Sequence, residues 1–178
     1  MRYRIQESDA RAICKVGTAG AHDALCAAGR CVVEQGRFDD AVARLYRAIE
    51  ALAQFRLAAE YSVPDTKAVA LQQVPEPLRS EWMSCARDGV LMLGLQDAYS
   101  LLGAYADELA TVFQAVGFDD RKKSPLASRN QSILAHGFQP VGEKTYRRIW
   151  DGAMQLAGQL EIFAASLPIF PQIGPRRD

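Results

Sequence analysis

Arg129 and His136 stand at the two ends of the run Arg129-Asn130-Gln131-Ser132-Ile133-Leu134-Ala135-His136, an R-x6-H spacing. Ser124-Pro125 ahead of it, a hydroxyl N-cap followed by proline at the first helical position, and Gly137 behind it predict a short helix of about twelve residues. Seven residues advance a helix by about 700°, so the two side chains fall about 20° apart on one face and roughly 10 Å apart along it. A permanent cation is thereby set two turns from a titratable ring. Cleavage of RNA through its own 2′-hydroxyl needs proton transfers and a counter-charge for a phosphorane, and histidine with arginine supplies both without metal. The partial negative charge at a helix C-terminus would favour the cationic form of His136. A surface arginine and a histidine that merely closes a helix are the plain alternative.

Three features favour the chemical reading: the chain's one Asn directly follows the Arg, the segment is capped at both ends, and it lies in the basic part of the chain. The 21 basic and 21 acidic residues cancel overall, but residues 121–148 hold 7 basic groups and 1 acidic one, against 12 and 17 in residues 1–120. Within that stretch Lys122, Lys123, Lys144, Arg147 and Arg148 flank the motif and are candidates for tracking an RNA backbone, with a solvated charged face as the alternative.

Other chemistries find little support. His22, the second of two histidines, lies in an Ala-rich stretch and reads as structural, and neither histidine has a metal-ligand spacing. No nucleophile elbow, phosphate-binding loop or dinucleotide fingerprint occurs, so no metal and no cofactor is expected. Cys14, Cys26, Cys31 and Cys85 form no C-x-x-C pair and are expected as buried free thiols in a reducing cytoplasm. The longest charge-free run, Ile162 to Pro175, holds three prolines and is shorter than the roughly 18 apolar residues of a membrane helix, so no span is expected.

The elements that must position the motif are helices. The chain has 28 Ala and 17 Leu against 11 Val, 8 Ile and 4 Thr, which favours helix over sheet because β-branched side chains lose χ1 freedom in a helix. A first helical block is expected over Ala19–Gln35, stopped by Gly36. Asp39 or Asp40 would cap a long helix to Tyr61 with Val42, Leu45, Ile49 and Leu52, then Phe55, on its buried stripe. Val63–Pro77 reads as a connection. Helices are expected from Pro77 through Arg87, from Leu95 through Val116 with Gly117 as its stop, and from Gly142 to Leu167 with Tyr146, Ile149, Trp150, Ala153, Leu156, Leu160 and Phe163 on the apolar face. One domain over residues 1–178 follows, with its core in about 19–167 and a tail at 168–178. Gly36-x-Phe38-x-x-Ala41 resembles a tetratricopeptide helix, but no second copy occurs at that period, which leaves a non-catalytic interaction module as the runner-up.

The run R-N-Q-S-I-L-A-H-G-F, with G-R-F-D-D-A-V-A-R-L-Y-R-A-I-E-A-L-A-Q upstream, resembles the HEPN domain of CRISPR-associated ribonucleases from type III systems, over roughly Ala19 to Leu167. The resemblance implies an all-α, HEPN-like helical bundle, paired as a two-fold homodimer that brings two motifs together in a groove for single-stranded RNA. It implies metal-independent endoribonuclease activity in antiviral defence, with Arg129 and His136 catalytic and Asn130 supporting them. An inactive HEPN unit that only dimerises or binds RNA is the alternative within the family. Family members usually also carry a CARF domain that senses cyclic oligoadenylate. The alternating βα pattern of such a domain is absent here, so it is expected, if present, elsewhere in a longer protein.

Overall fold

The computed structural model describes Gly29, residues 36–127 and residues 140–159. The expected block Ala19–Gln35 apart from Gly29, the C-terminal tail, Leu160 and Phe163, and Cys14, His22, Cys26 and Cys31 lie outside the described residues. Among the described residues, five α-helices and one two-stranded ladder follow in the order α1 (Phe38–Glu60), β1 (Val69–Ala70), α2 (Leu78–Trp82), β2 (Val90–Leu91), α3 (Leu95–Ala104), α4 (Glu108–Ala115) and α5 (Glu143–Gly158).

α1 is the spine. Val42, Leu45, Ile49 and Leu52 recur at three- and four-residue steps and are fully buried, as the periodicity demands. Its stripe continues through Ala53 and Leu57, while Phe55 is only half-buried. The chain enters from Gly36 at φ 61°, a left-handed conformation that glycine takes without a Cβ penalty. Neither Asp39 nor Asp40 is the N-cap. Arg37 holds that position, and both aspartates lie in the first turn, where Asp40 pairs with Arg37 and Asp39 is drawn to a distant backbone N–H.

α1 packs on α3 and α5, and α4 packs on both α3 and α5, so four helices share one core. Tyr99 marks its centre: its ring stacks on Phe113 at 3.7 Å between centroids, and its hydroxyl donates to the Ile49 carbonyl at 3.0 Å. Burial pushes this phenol well above its ordinary pKa, since the charged form would have no water.

The expected single helix Leu95–Val116 is two. α3 ends at Tyr105, and Ala106 turns left-handed at φ 58°, with Ala106 N–H on Gly103 O (2.9 Å) and Asp107 N–H on Leu102 O (3.0 Å). That pair of bonds is a Schellman stop, made here by an alanine rather than the usual glycine. Asp107 then starts α4, its Oδ1 accepting from Leu109 N–H at 2.8 Å. α4 closes by the same device at Gly117 (φ 72°), where Phe118 N–H reaches Phe113 O at 3.0 Å and the two rings meet edge-on at 5.7 Å. The stop expected at Gly117 is thus observed.

The connection after α1 carries more structure than its prolines suggest. Val69 pairs with Leu91 and Ala70 with Val90 in an antiparallel ladder that encloses α2. α2 stops at Trp82 and gives way to a tighter turn over Met83–Cys85, short of Arg87. Cys85 ends that turn as a free, exposed thiol, contrary to the burial expected, because it sits on a surface crossing and not on a helix stripe.

Candidate functional site

Arg129, Asn130 and His136 lie outside the described residues, and the structure fixes instead the two flanks from which their segment departs and returns. The leading flank begins at Phe118 and is held by Asp120. One oxygen of that carboxylate accepts from the backbone N–H of Lys122 (2.8 Å) and of Lys123 (2.9 Å), and the Asp120 carbonyl accepts from Ser124 N–H at 3.0 Å. The Lys123 and Lys122 amides are the main reason this exposed carboxyl sits below its ordinary range. The backbone is tied down in this way while both lysine side chains stay in solvent.

Ser124 does what the sequence predicts of it. Its Oγ accepts from Leu126 N–H at 3.0 Å, its carbonyl takes Ala127 N–H at 2.9 Å, and Ala127 is already helical. Ser124 and Leu126 are buried, so the cap is part of the core and not a loose surface turn.

The returning flank is anchored across the fold. Val141 is buried and donates its N–H to Asp39 Oδ1 at 3.2 Å, linking the start of α5 to the first turn of α1. Gly142 then caps α5. Lys144, Arg147 and Arg148, at steps of three and four, share one exposed face, opposite the buried Tyr146, Ile149 and Ala153. Glu143 takes Arg147 with Nε at 2.9 Å and Nη2 at 2.5 Å, and this hydrogen bonding raises the guanidinium pKa. Arg147 is therefore partly neutralised on its own helix.

The two basic flanks meet through the core. A Cβ placed on Gly152 would stand 2.8 Å from Phe118 Cε2 and closer still to Cζ, so the Phe118 ring rests directly on the α5 backbone. Lys122 lies four residues beyond Phe118, and Arg148 one helical turn before Gly152. The five sequence-nominated cations thus sit on two elements locked against each other.

Sequence reasoning missed a cleft beside the leading flank. It encloses about 340 Å³ between Tyr46 of α1, Gln96 and Asp97 at the start of α3, and Arg121, Leu126 and Ala127. Arg121 forms an ion pair with Asp97, and Gln96 Nε2 donates to the Phe118 carbonyl at 2.7 Å. Asp97 and Arg121 lie 24 residues apart, and no local signal in the sequence joins them.

A second missed cluster is structural. Asp107, with its side chain wholly buried, accepts from Arg56 Nε at 2.8 Å and from Tyr61 Oη at 2.7 Å, while Tyr61 stacks on Tyr105 at 4.3 Å. Burial opposes the charge on Asp107, but the Arg56, Tyr61 and Leu109 hydrogen bonds outweigh it and hold the carboxyl below its usual range. Desolvation, then the bond to Asp107, pushes Tyr61 up to about 12.

No group of three or more His, Cys, Asp or Glu is arranged to hold a metal among the described residues. No helix among them is long and apolar enough to cross a membrane. In comparison with known proteins, a family model described as the Csm6 HEPN domain matches residues 10–160. No curated protein and no solved structure matches the chain.

Proposed function

The chain belongs to the Csm6 HEPN domain family, and from that membership we propose that it is a CRISPR-associated, metal-independent endoribonuclease of single-stranded RNA. The observation that carries this reading is that the family match spans the whole R-x6-H segment, Arg129 to His136. The anchored flanks at Ser124–Leu126 and Val141 support it, because a catalytic pair needs a segment whose ends are fixed.

In the proposed mechanism two protomers pair their motifs across a two-fold axis. Each motif alone supplies half the groups that a two-sided phosphate site requires. His136 in its neutral form takes the proton of the 2′-hydroxyl as O2′ bonds to phosphorus, and becomes the imidazolium. The bond from phosphorus to the 5′ oxygen then breaks, and that oxygen receives the proton from the His136 imidazolium, leaving a 2′,3′-cyclic phosphate, a 5′-hydroxyl and a neutral His136. Arg129 holds the charge of the phosphorane, and Asn130 supports the pair by hydrogen bonds. Lys122, Lys123, Lys144, Arg147 and Arg148 guide the strand. The setting would be cytoplasmic antiviral defence, with control by cyclic oligoadenylate coming from a CARF domain elsewhere in a longer protein.

The test is the chemistry of the products. Unstructured RNA incubated with the protein in EDTA should yield cyclic-phosphate and 5′-hydroxyl ends, and the same strand with 2′-deoxy sugars should stay intact. Cleavage of the deoxy strand, or cleavage that stops in EDTA and returns with magnesium, would overturn the mechanism.

A further inference from the structure

We propose that the cleft between Tyr46, Asp97 and Leu126 holds one nucleobase of the RNA next to the scissile phosphate and favours bases that carry an exocyclic amine. The proposal rests on the ribonuclease reading above and adds to it a residue that reads the substrate.

The volume, about 340 Å³, lies at the lower end of the range for small-ligand sites, which suits a single flat heterocycle. Its walls are of two kinds. Tyr46, Leu126 and Ala127 give aromatic and apolar surface for the faces of a base. Asp97 and Gln96 give acceptors for its edge. Asp97 uses Oδ1 for Arg121, and its Oδ2 has no hydrogen-bond partner among the described residues. Gln96 gives one amide N–H to Phe118 O, and its oxygen remains available as an acceptor.

An edge lined by acceptors selects donors. Adenine, cytosine and guanine each present an exocyclic amine beside a ring or carbonyl acceptor, and the Arg121 guanidinium next to Asp97 matches that second group. Uracil has no amine, and its one edge donor, N3–H, is flanked on both sides by carbonyl oxygens, which a carboxylate repels. The Arg121–Asp97 pair is neutral as a unit, so the carboxylate does not drive off the adjoining phosphate. Arg121 is 64% exposed, so water can replace its contact with Asp97 when a base enters.

The cleft also stands at the right place along the chain. Ala127, one of its walls, precedes Arg129 by two residues, and two residues of backbone reach at most ~7 Å. A base seated there belongs to a nucleotide flanking the phosphate that Arg129 holds.

The test measures binding of four-nucleotide RNAs of A, C or U to the full-chain His136→Ala protein, together with mapping of cleavage sites made by the active protein on an RNA of mixed sequence. The A and C strands should bind on the order of tenfold tighter than U. The Asp97→Asn change, which swaps one acceptor for a donor, should erase or invert that order and shift cleavage toward uridine at one position beside the cut. Tyr46→Leu should weaken all three strands and keep their rank. Cleavage that depends on His136 but keeps its site preference in Asp97→Asn would overturn the cleft and leave the ribonuclease reading standing. Base-dependent binding that Asp97→Asn inverts, in a protein that cuts no RNA, would support the cleft and sink the ribonuclease. Unchanged binding of all strands to Tyr46→Leu would also overturn the cleft.

Discussion

Phe118 lies against the backbone of Gly152 so closely that a Cβ on the glycine would overlap its ring. Phe118 also closes α4 and opens the turn that leads to the motif, while Gly152 belongs to the helix that carries Lys144, Arg147 and Arg148. One packing contact therefore sets the distance between the two basic flanks.

Gly152→Ala should accordingly be destabilising even though alanine is the better helix former. The methyl must push Phe118 out of a fully buried site, an overpacking cost of roughly 1–3 kcal/mol. Denaturant unfolding checks this: the midpoint should fall with the slope unchanged. A midpoint at or above that of the parent protein would show that the ring has room to move.

Asp107 supports a prediction in pH. Its folded pKa is depressed, so its contribution to stability is complete above the unfolded value of about 3.9 and fades as pH falls through the folded value. Asp107→Asn should thus flatten the acid limb of the stability curve. Asp107→Ala removes the α4 cap and the partner of Arg56 and Tyr61 together, and should cost roughly 2–4 kcal/mol at neutral pH. Thermal unfolding between about pH 2 and pH 7 spans the window in which the carboxyl titrates and reads both effects.

The lysines of the leading flank give a third prediction. Asp120 fixes their backbone and leaves their side chains in solvent, so reversing Lys122 and Lys123 to Glu should spare the fold and weaken RNA binding. The slope of log K against log salt should become shallower by about 0.7 for each phosphate that is no longer neutralised. Equal affinity and equal slope in the His136→Ala background would mean a merely solvated face.

How much of this was legible in the sequence depends on how local each signal is. The α1 stripe, the Ser124 cap and the Gly117 stop are written within a few residues, and each is where its pattern puts it. The break between α3 and α4 is local too, but it is made by Ala106 in a left-handed conformation, and alanine is the residue least expected to end a helix. Asp39 fits a cap pattern yet is used by Val141, which lies 102 residues away. The pairing of Val69 with Leu91, the clamp of Asp107 on Arg56 and the cleft between Asp97 and Arg121 all join distant segments, and composition cannot foresee them. Arg129 and His136 were nominated by residue type and spacing together with the adjoining Asn130, the capped and basic segment around them and the resemblance to the HEPN family, and they lie outside the described residues.

Their role is the central claim, and the most direct measurement is the single-turnover rate on unstructured RNA in EDTA for the parent protein, Arg129→Ala and His136→Ala, with far-UV circular dichroism to confirm an intact fold. Loss of one preorganised donor from a developing phosphorane costs on the order of 100- to 1,000-fold in rate. Each variant should therefore fall by at least that factor while keeping its helical spectrum. A His136→Ala protein that cuts RNA at the parent rate would contradict the account.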